Sequence, residues 1–395
     1  MSVPMVSLFE LAEINPNSPK LSGDDMVSFL PMSDVSEVGT TAVSTLRPYR
    51  EVKSGYTGFC DADVLVAKIT PCFENNKIAQ AVLPTQYGFG STEFHVIRPR
   101  SEAEGRFLLH FLRQDWVRHE GERRMTGSGG QRRVPKVFLE GLKLPNLTKS
   151  EQKRVAAILD QADELRRMRG EMIARHSDLG KAIFFEMFGD VRLNERRWAE
   201  GPHLQDIADI ASGITKGRKL NGQITRAIPY MTVATVQDGH LKLDEVKTIE
   251  ATEREIERYR LQHGDILLTE GGDPDKLGRG TMWEGEIAEC IHQNHVFRVR
   301  VTDQRLNPVF ATWLIGSPRG KAYFLKAAKQ TTGIASINST QLKQFPLLLP
   351  PIDLQNEFAA RLSALKAGKE VLTTAMQQAE ALFASLQHRA FRGEL

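Results

Sequence analysis

The apolar positions of the chain follow a helical period in two long segments, one central and one at the end of the sequence. In the central segment these positions are Val155, Ile158, Ala162, Leu165, Met172, Leu179 and Ile183, with Arg169 and His176 as interruptions. In the final segment they are Phe358, Leu362, Leu365, Leu372, Met376, Ala379, Phe383, Leu386 and Ala390, with one break at Lys369. A three-four spacing sustained over several heptads predicts a coiled-coil seam, the alternative being two amphipathic helices that each pack on their own domain.

The flanking residues indicate where both helices begin and end. Thr148 and Glu151 have the spacing of a capping box at the start of the first helix, and Gly189 is its expected end. The second helix is expected to begin near Asp353. At 1.5 Å per residue each helix would span about 55 Å. Because the two helices are of similar length, we expect them to pair with each other as a rigid spacer between two globular parts.

The two halves of the chain repeat the same order of elements. Each half has an acidic turn with a strand, a loop rich in Gly, Pro, Asn or Asp, a second strand, a short apolar helix, a Gly-rich polar stretch and a Leu-Pro segment before its long helix. In the first half these are 61–68, the loop that follows, 92–97, 107–112, 126–130 and 142–145. In the second half they are 263–269, the loop that follows, 294–299, 310–315, 331–333 and 345–350.

The repeat predicts an α+β chain with a pseudo-twofold internal repeat. It has two similar α/β domains, separated by two long helices that pair as an antiparallel coiled coil. The predicted boundaries are 1–147 for the first domain, 148–189 for the central helix, 190–350 for the second domain and 351–395 for the distal helix. A length of 395 residues and a hydrophobic content of 41% fit two domains with full cores.

Composition narrows the cellular setting more than the function. The net charge is only +3, a weak indication of a polyanionic partner. Cys60, Cys72 and Cys290 form no CxxC pair, which argues against a disulfide framework or a zinc site and suits a reducing cytoplasm. No signal peptide is apparent, and no apolar run approaches the roughly 20 residues of a membrane helix. We therefore expect a cytoplasmic protein with no membrane partner.

The motifs of common nucleotide and methyl-transfer chemistry are missing from the sequence. There is no GxxxxGK[ST] phosphate loop, no GxGxxG fingerprint and no Asn/Asp-Pro-Pro-Tyr/Phe tetrapeptide. His292 and His295 lie on a predicted strand with a spacing that directs them to opposite faces. Asp273 and Asp275, with Lys276, are weak evidence for a metal site. The sequence therefore predicts no catalytic residue, no metal site and no cofactor on this chain.

Basic residues concentrate in two polar stretches. Between 118 and 136 lie Arg118, Arg123, Arg124, Arg132, Arg133 and Lys136, and between 215 and 219 lie Lys216, Arg218 and Lys219 without an acid. Lys and Arg in Gly-containing loops can neutralise phosphates, and Arg can read base edges. On charge alone, nucleic-acid binding and an ordinary solvated surface are equally supported.

Two segments resemble the conserved regions of type I restriction–modification specificity subunits. The central region is matched by 144–152, by Ile158-Leu159-Asp160 and above all by Phe185-Glu186-Met187-Phe188-Gly189-Asp190. The distal region is matched by 349–355 and by 385–395, which ends Phe391-Arg392-Gly393-Glu394-Leu395. The resemblance covers the whole chain, specifically in the helical regions and loosely in the two arms.

The resemblance implies a DNA-binding subunit without chemistry of its own. Each arm would be a target-recognition domain that reads one half of a split double-stranded DNA site, and the different arms imply an asymmetric target. The paired helices would set the spacing and dock two methyltransferase subunits, to which motor-nuclease restriction subunits are added. S-adenosylmethionine, ATP and magnesium would be held by those partners only, as would any base flipping.

The resemblance also implies that the loop after the first paired strand of each arm contacts DNA. In the first arm these residues are Lys68, Thr70, Glu74, Asn75 and Lys77. In the second arm they are Thr269, Glu270, Asp273, Lys276 and Arg279. The charge argument adds Arg132, Arg133, Lys216, Arg218 and Lys219. Acidic members fit this role because a carboxylate can accept a hydrogen bond from a cytosine amine.

Three alternatives remain at this point. The chain could serve a related system in which nuclease and methyltransferase are fused. It could be a cryptic nuclease that uses Asp273 and Asp275, or a scaffold whose arms bind protein and whose binding would therefore be insensitive to salt.

Overall fold

The computed structural model describes residues 3–43, 45–128, 130–220, 222–272, 277–331 and 334–395. The chain is a mixed helix and sheet protein, as predicted, and it divides into two compact units. Unit 1 contains Met1–Met172 and Leu372–Leu395, and unit 2 contains Ile173–Val371. The chain therefore passes from one unit to the other inside each of its two long helices.

Among its described residues, unit 1 contains ten strands and the short α-helices of the first half. The strands are β1 (Met5–Ser7), β2 (Ala12–Ile14), β3 (Met26–Leu30), β4 (Thr45–Pro48), β5 (Thr57–Cys60), β6 (Val64–Ala67), β7 (Ile78–Gln80), β8 (Tyr87–Gly90), β9 (Phe94–Pro99) and β10 (Lys143–Pro145). The helices are α1 (Leu8–Leu11), α2 (Tyr49–Val52), α3 (Gly105–Leu112), α4 (Asp115–Arg123), α5 (Lys136–Gly141) and the first part of α6 (Lys149–Phe188).

Two four-stranded sheets form the body of unit 1. The first has the order β2-β9-β6-β7 with every neighbouring pair antiparallel, and the second has the order β4-β3-β8-β5 with β3 and β8 parallel. Strand β6 is buried on both faces, because Val64 and Val66 pack into one core with α3 while Leu65 packs into another with Phe59. Burial on both faces explains why the sequence of this strand is an unbroken apolar run.

Unit 2 holds the remaining elements. Its strands are β11 (Glu200–His203), β12 (Ala208–Ser212), β13 (Arg226–Met231), β14 (Thr248–Ala251), β15 (Ile266–Thr269), β16 (Gly271–Gly272), β17 (Gly280–Met282), β18 (Ile291–His292), β19 (Val296–Val301), β20 (Lys329–Thr331), β21 (Ile334–Ser336) and β22 (Pro346–Leu348). Its helices are the end of α6, α7 (Glu253–Tyr259), α8 (Pro308–Gly316), α9 (Pro318–Ala327), α10 (Ser339–Lys343) and the first part of α11 (Ile352–Ala390).

The main sheet of unit 2 has the strand order of the first sheet of unit 1. It runs β12-β19-β15-β17, again with all pairs antiparallel. The registers also correspond, since Leu65 lies opposite Val96 in unit 1 and Leu267 lies opposite Arg298 in unit 2. A second sheet, β14-β13-β18, has β13 and β18 parallel, as β3 and β8 are in unit 1.

A buried ion pair occupies the same place in both main sheets. In unit 1 the Asp63 carboxylate accepts hydrogen bonds from the Arg98 guanidinium at 2.7 and 3.0 Å and from the backbone N–H of Cys60. In unit 2 Asp265 accepts two bonds of 2.7 Å from Arg300 and one from the backbone N–H of Gln262. The acidic turn seen before each strand in the sequence is therefore fixed by a charge-assisted network.

The two long helices predicted from the apolar period are present. At the start of α6, the Thr148 backbone N–H and hydroxyl both donate to Glu151, and the Glu151 N–H donates back to the Thr148 hydroxyl, which is the predicted capping box. Along α11 the predicted positions alternate with exposed residues, and Phe358, Ala379 and Ala390 are fully or almost fully buried.

Within each unit the two helices run antiparallel. In unit 1 Arg154 donates to the carbonyl of Leu395, and Arg169, later in α6, donates to that of Ala375, earlier in α11. The two helices therefore run in opposite directions. In unit 2 the ring centroids of Phe184 and Phe358 lie 5.4 Å apart. Both helices thereby complete the cores of both units.

Two of the apolar positions predicted for the α6 seam were wrong. Met172 and Leu179 are exposed, and the inward-facing positions of this stretch are held by Arg169, His176 and Gly180. His176 lies against Gly368 and Gly180 lies against Trp313 and Leu362, all within unit 2. Apart from the half-buried Ile173, the inner stripe here uses polar and small side chains, which an apolar pattern cannot detect, so the two residues taken as interruptions lie on this stripe.

We expect two neighbouring phenylalanines of α6 to differ sharply in their effect on stability. Phe188 is buried against Phe310, with ring centroids 4.7 Å apart, whereas Phe185 is 61% exposed. Phe188→Ala should lower the free energy of unfolding by about 3–5 kcal/mol. Phe185→Ala, the matched control, should change it by less than about 0.5 kcal/mol. Denaturant titration of the full chain measures both, and equal losses would contradict this packing.

Candidate nucleic-acid interface

Two loops of unit 1 lie side by side at one end of its main sheet. The first loop, 68–77, follows β6, and the second, 124–135, precedes α5. The backbone N–H of Val134 donates to the Lys68 carbonyl at 2.8 Å, and that of Thr70 donates to the Arg132 carbonyl at 3.0 Å. Lys68, Thr70, Arg132 and Arg133, chosen from the sequence on two separate grounds, are thus brought together. We call these two loops the unit 1 loop pair.

Most cations of the unit 1 loop pair already have an acidic partner. Arg132 lies 3.1 Å from Glu74, and Arg133 donates two hydrogen bonds to Glu93 at 2.8 and 3.0 Å. The hydrogen bonds from Arg133 hold the pKa of Glu93 below its usual value. Asn75, which follows Glu74 in the first loop, is exposed. The surface therefore presents both signs of charge beside an amide rather than a uniform basic patch.

Arg113 holds the first loop of this pair from beneath. Its guanidinium donates to the carbonyls of Asn76, Ile78 and Glu37 at 2.8 to 3.2 Å. Burial lowers the pKa of Arg113 to about 10. The Lys77 ammonium also donates inward, to the Met32 carbonyl at 3.1 Å. Lys77 thus supports the loop, and Arg113 was missed because nothing in the sequence distinguishes an arginine under a loop from a solvated one.

Unit 2 builds the corresponding loop pair with the same backbone bonds. The backbone N–H of Ile337 donates to the Glu270 carbonyl at 2.9 Å, as Val134 does to Lys68. Gly271 and Gly272 of β16 pair with Ser336 and Ala335 of β21. The unit 2 loop pair consists of the described parts of 270–279 and 328–338.

One position of the two loop pairs carries opposite charge. In unit 1 the Lys68 N–H donates to the Glu93 carbonyl at 2.9 Å, and in unit 2 the Glu270 N–H donates to the His295 carbonyl at 3.0 Å. Lys68 helps to lower the pKa of Glu93, while the Glu270 carboxylate is hydrogen-bonded to Nδ1 of His295. The backbone frame is therefore shared and the side-chain chemistry is reversed.

Four predicted contacts of the second arm need correction or lie outside the described residues. Thr269 is 1% exposed, and its hydroxyl donates to the Arg279 carbonyl at 3.4 Å, so this side chain does not reach the surface. Arg279 is half-buried and donates to the Val233 carbonyl and the Gln237 amide oxygen, which makes it a support of the loop. Asp273 and Lys276 lie outside the described residues.

The basic stretch at 215–219 follows Ile214, whose backbone is bonded to the segment between β18 and β19. The backbone N–H of Ile214 donates to the His292 carbonyl at 2.8 Å, and that of Asn294 donates to the Ile214 carbonyl at 2.9 Å. Arg218 is bound to Glu255 by two hydrogen bonds of 2.5 and 2.8 Å. Lys216 and Lys219 are exposed, and neither has an ion-pair partner within the described part of the chain.

The two histidines singled out in the sequence do not lie on one strand, because β18 ends at His292 and His295 lies in the turn before β19. His292 is fully buried, with its pKa lowered by burial to about 4, and His295 is exposed. All three cysteines are free thiols. Within the described ranges no group of three or more His, Cys, Asp or Glu residues could hold a metal ion. No helix among these residues is long and apolar enough to cross a membrane.

The Arg218–Glu255 pair predicts a loss of stability in acid. Hydrogen bonds from Arg218 lower the pKa of Glu255 from 4.5 to about 2. The ionised carboxylate therefore stabilises the fold fully above about pH 4.5, and this contribution is lost as the pH falls toward and through about 2. The stability gap between wild type and Glu255→Gln should shrink over this window in urea titrations. Glu257→Gln, on the same helix, is the control, and a gap that stays constant would contradict the pair.

The chain is similar in sequence to a family of known proteins. A model of the type I restriction modification DNA specificity domain matches residues 200–381. The specificity subunit of the EcoEI type I restriction enzyme of Escherichia coli is 35% identical, over 89% of this chain and 75% of that protein. The EcoAI specificity subunit, also from Escherichia coli, is 33% identical over 49% of this chain. The matched part spans about a third (34%) of that relative.

Solved structures agree at the level of the fold. A chain from work on complex assembly and conformational transition of the type I restriction–modification system has a TM-score of 0.63 at 18% identity, covering 100% of this chain and 98% of that one. The type I restriction–modification S subunit of M. genitalium has a TM-score of 0.54 at 13% identity, over 98% and 96% of the two chains. The chain belongs to the family of type I restriction enzyme specificity subunits.

Proposed function

We propose that this chain reads DNA for a type I restriction–modification complex. Each recognition domain, 1–147 and 190–350, would bind one half of an asymmetric bipartite target. The observation that carries the proposal is the pair of loops built on the same backbone bonds at corresponding places in both units, in a member of this family. A frame that is repeated while its side chains differ suits two half-sites of different sequence.

The basic stretch at 215–219 and the side chains of the loop pairs would supply the two kinds of contact that DNA recognition needs. Lys216 and Lys219 are exposed cations able to neutralise phosphates, which gives affinity without sequence preference. Asn75 can make two hydrogen bonds to adenine, and Glu74 or Glu270 can accept one from a cytosine amine. Because Arg132 and Arg133 are held by acidic partners, their guanidinium groups are already oriented before DNA arrives.

The two long helices would act as an antiparallel coiled coil that sets the distance between half-sites. Helix α6 has 40 residues, so at 1.5 Å per residue it is about 60 Å long. Exposed apolar residues on it, Met168 and Met172 in unit 1 and Phe185 in unit 2, are suited to burial by partner subunits. We propose that two methyltransferase subunits dock there and that restriction subunits join through them.

Catalysis and cofactors would belong to these partners. The chain would hold no S-adenosylmethionine, ATP or magnesium. The experiment is to incubate DNA and S-adenosylmethionine with the purified chain, with methyltransferase subunits alone and with both together. Only the mixture should methylate DNA, at one bipartite sequence found by methylation sequencing. Methyl transfer or cleavage by the chain alone would contradict the proposal and favour an enzyme.

Removing one exposed lysine should reduce the salt dependence of DNA binding. Lys219→Met should reduce the slope of log affinity against log salt by about 0.9, the value for one released phosphate contact on duplex DNA. Lys326→Met, which removes an equally exposed cation from α9, is the matched control and should leave the slope unchanged. Fluorescence anisotropy of the assembled complex measures both, and equal slopes for wild type and Lys219→Met would contradict this contact.

A substitution in one loop pair should affect one half-site only. Asn75→Ala should weaken binding to the full target by about 1–3 kcal/mol, or roughly 5- to 150-fold, if Asn75 reads a base. A base change at its position should then cost the variant nothing further, while changes in the other half-site keep their full cost. Competition binding with single-substitution duplexes measures this, and additive costs at every position would exclude a base contact by Asn75.

A further inference from the structure

Arg298 is a charged residue at a position where the repeat has an apolar one. It pairs with Leu267 across β15 and β19, at the register position that Val96 holds opposite Leu65 in unit 1. Val96 is buried in a hydrophobic core, and Arg298 is also buried, at 5% exposure. Burying an arginine where valine satisfies the same fold costs free energy unless the guanidinium is paired and hydrogen-bonded.

A cavity of about 570 Å³ lies beside Arg298, within unit 2. Its polar lining combines three cations, one carboxylate and two hydroxyls: Arg258, Arg298, Lys343, Asp209, Ser212 and Ser339. These residues come from the edge strand β12, its neighbour β19, the end of α7 and the short helix α10. The lining therefore has an excess of two positive charges.

The positive groups of this cavity are incompletely satisfied. The Asp209 carboxylate is hydrogen-bonded to one terminal nitrogen of Arg298, but the buried Nε–H of Arg298 has no acceptor within the described residues. Arg258 and Lys343 form no ion pair in this part of the chain either, and the guanidinium of Arg258 lies over the ring of Tyr259. A buried donor without an acceptor is unfavourable, and cations without an ion-pair partner favour the binding of an anion.

We propose that this cavity binds a phosphate group. A phosphate offers several strong acceptor oxygens to guanidinium, ammonium and hydroxyl donors, and its negative charge matches the excess charge of the lining. The Asp209 carboxylate is hydrogen-bonded to Arg298, and Arg258 and Lys343, which line the cavity and form no ion pair among the described residues, are the cations available to the ligand. Unit 1 lacks the corresponding arginine, so the site belongs to the second arm alone.

The phosphate has two possible sources, a free phosphate-bearing molecule and the backbone of bound DNA. Only the second source rests on the proposed function, because free phosphate can be tested on the chain alone. The variant Arg258→Met/Lys343→Met removes two cations at the cavity, and Lys247→Met/Lys326→Met removes two exposed cations that do not line it. Arg298→Val restores the residue type of unit 1 and tests the buried donor separately.

The first experiment titrates the full chain with inorganic phosphate by calorimetry at constant ionic strength. Wild type and the Lys247→Met/Lys326→Met control should bind one phosphate saturably. Arg258→Met/Lys343→Met and Arg298→Val should each weaken this binding by at least about tenfold, since charge-assisted hydrogen bonds are lost. Circular dichroism and melting temperature identify any variant that has lost its fold. Phosphate binding that survives in both folded variants would overturn the site.

The second experiment measures the salt dependence of DNA binding by the assembled complex. If the cavity holds a backbone phosphate, Arg258→Met/Lys343→Met should reduce the slope of log affinity against log salt by about 0.9. An unchanged slope with loss of phosphate binding assigns the site to a free ligand. No phosphate binding by wild type together with an unchanged slope overturns the proposal, while target methylation by that complex would show that the proposed function still stands.

Discussion

Both units depend on helical segments that are far apart in sequence. The core of unit 1 includes Phe383 and Ala390 from the end of the chain, packed with Val155 and Leu159 of α6, and the core of unit 2 joins Phe184 to Phe358. Unit 1 consists of two separate pieces of chain, and unit 2, although continuous from Ile173 to Val371, packs its two ends against each other, so each unit must close a long loop before its core is complete. The predicted boundaries at 147, 189 and 350 follow the repeat of the sequence, whereas the compact units follow the packing of α6 and α11.

The buried aspartate–arginine pairs explain how the repeat keeps its register. Asp63 and Asp265 each tie the turn before a central strand to an arginine on the neighbouring strand. Removing one partner would leave a buried charge unpaired, which generally costs about 3–5 kcal/mol, so a slipped register is strongly disfavoured. The loops that follow both strands therefore leave the sheet at the same place, and this is the basis of the shared loop frame.

The sequence predicted the positions of helices and strands better than the burial and pairing of charged side chains. A strong apolar period located α6 and α11, and the repeat located the paired strands, because both patterns reflect burial directly. The apolar period did not predict the inward-facing positions in the middle of α6, because Arg169 and Gly180 occupy them. Charge could not show that Arg218 is bound to Glu255 while Lys219 is exposed, nor that Arg298 is buried. Pairing of this kind depends on contacts between residues distant in sequence.

A fixed backbone with exchangeable side chains lets the two arms diverge without a change of fold. The bonds that join each loop pair use backbone atoms, so they are indifferent to whether the side chain at that position is Lys68 or Glu270. Reversing the charge there changes which hydrogen-bond donors and acceptors face outward, while the supports from Arg113 and Arg279 stay inside. Because the support is separate from the surface that would meet a base, new specificity requires substitutions only at exposed positions. The same separation accounts for arms that are dissimilar in sequence on sheets with the same strand order.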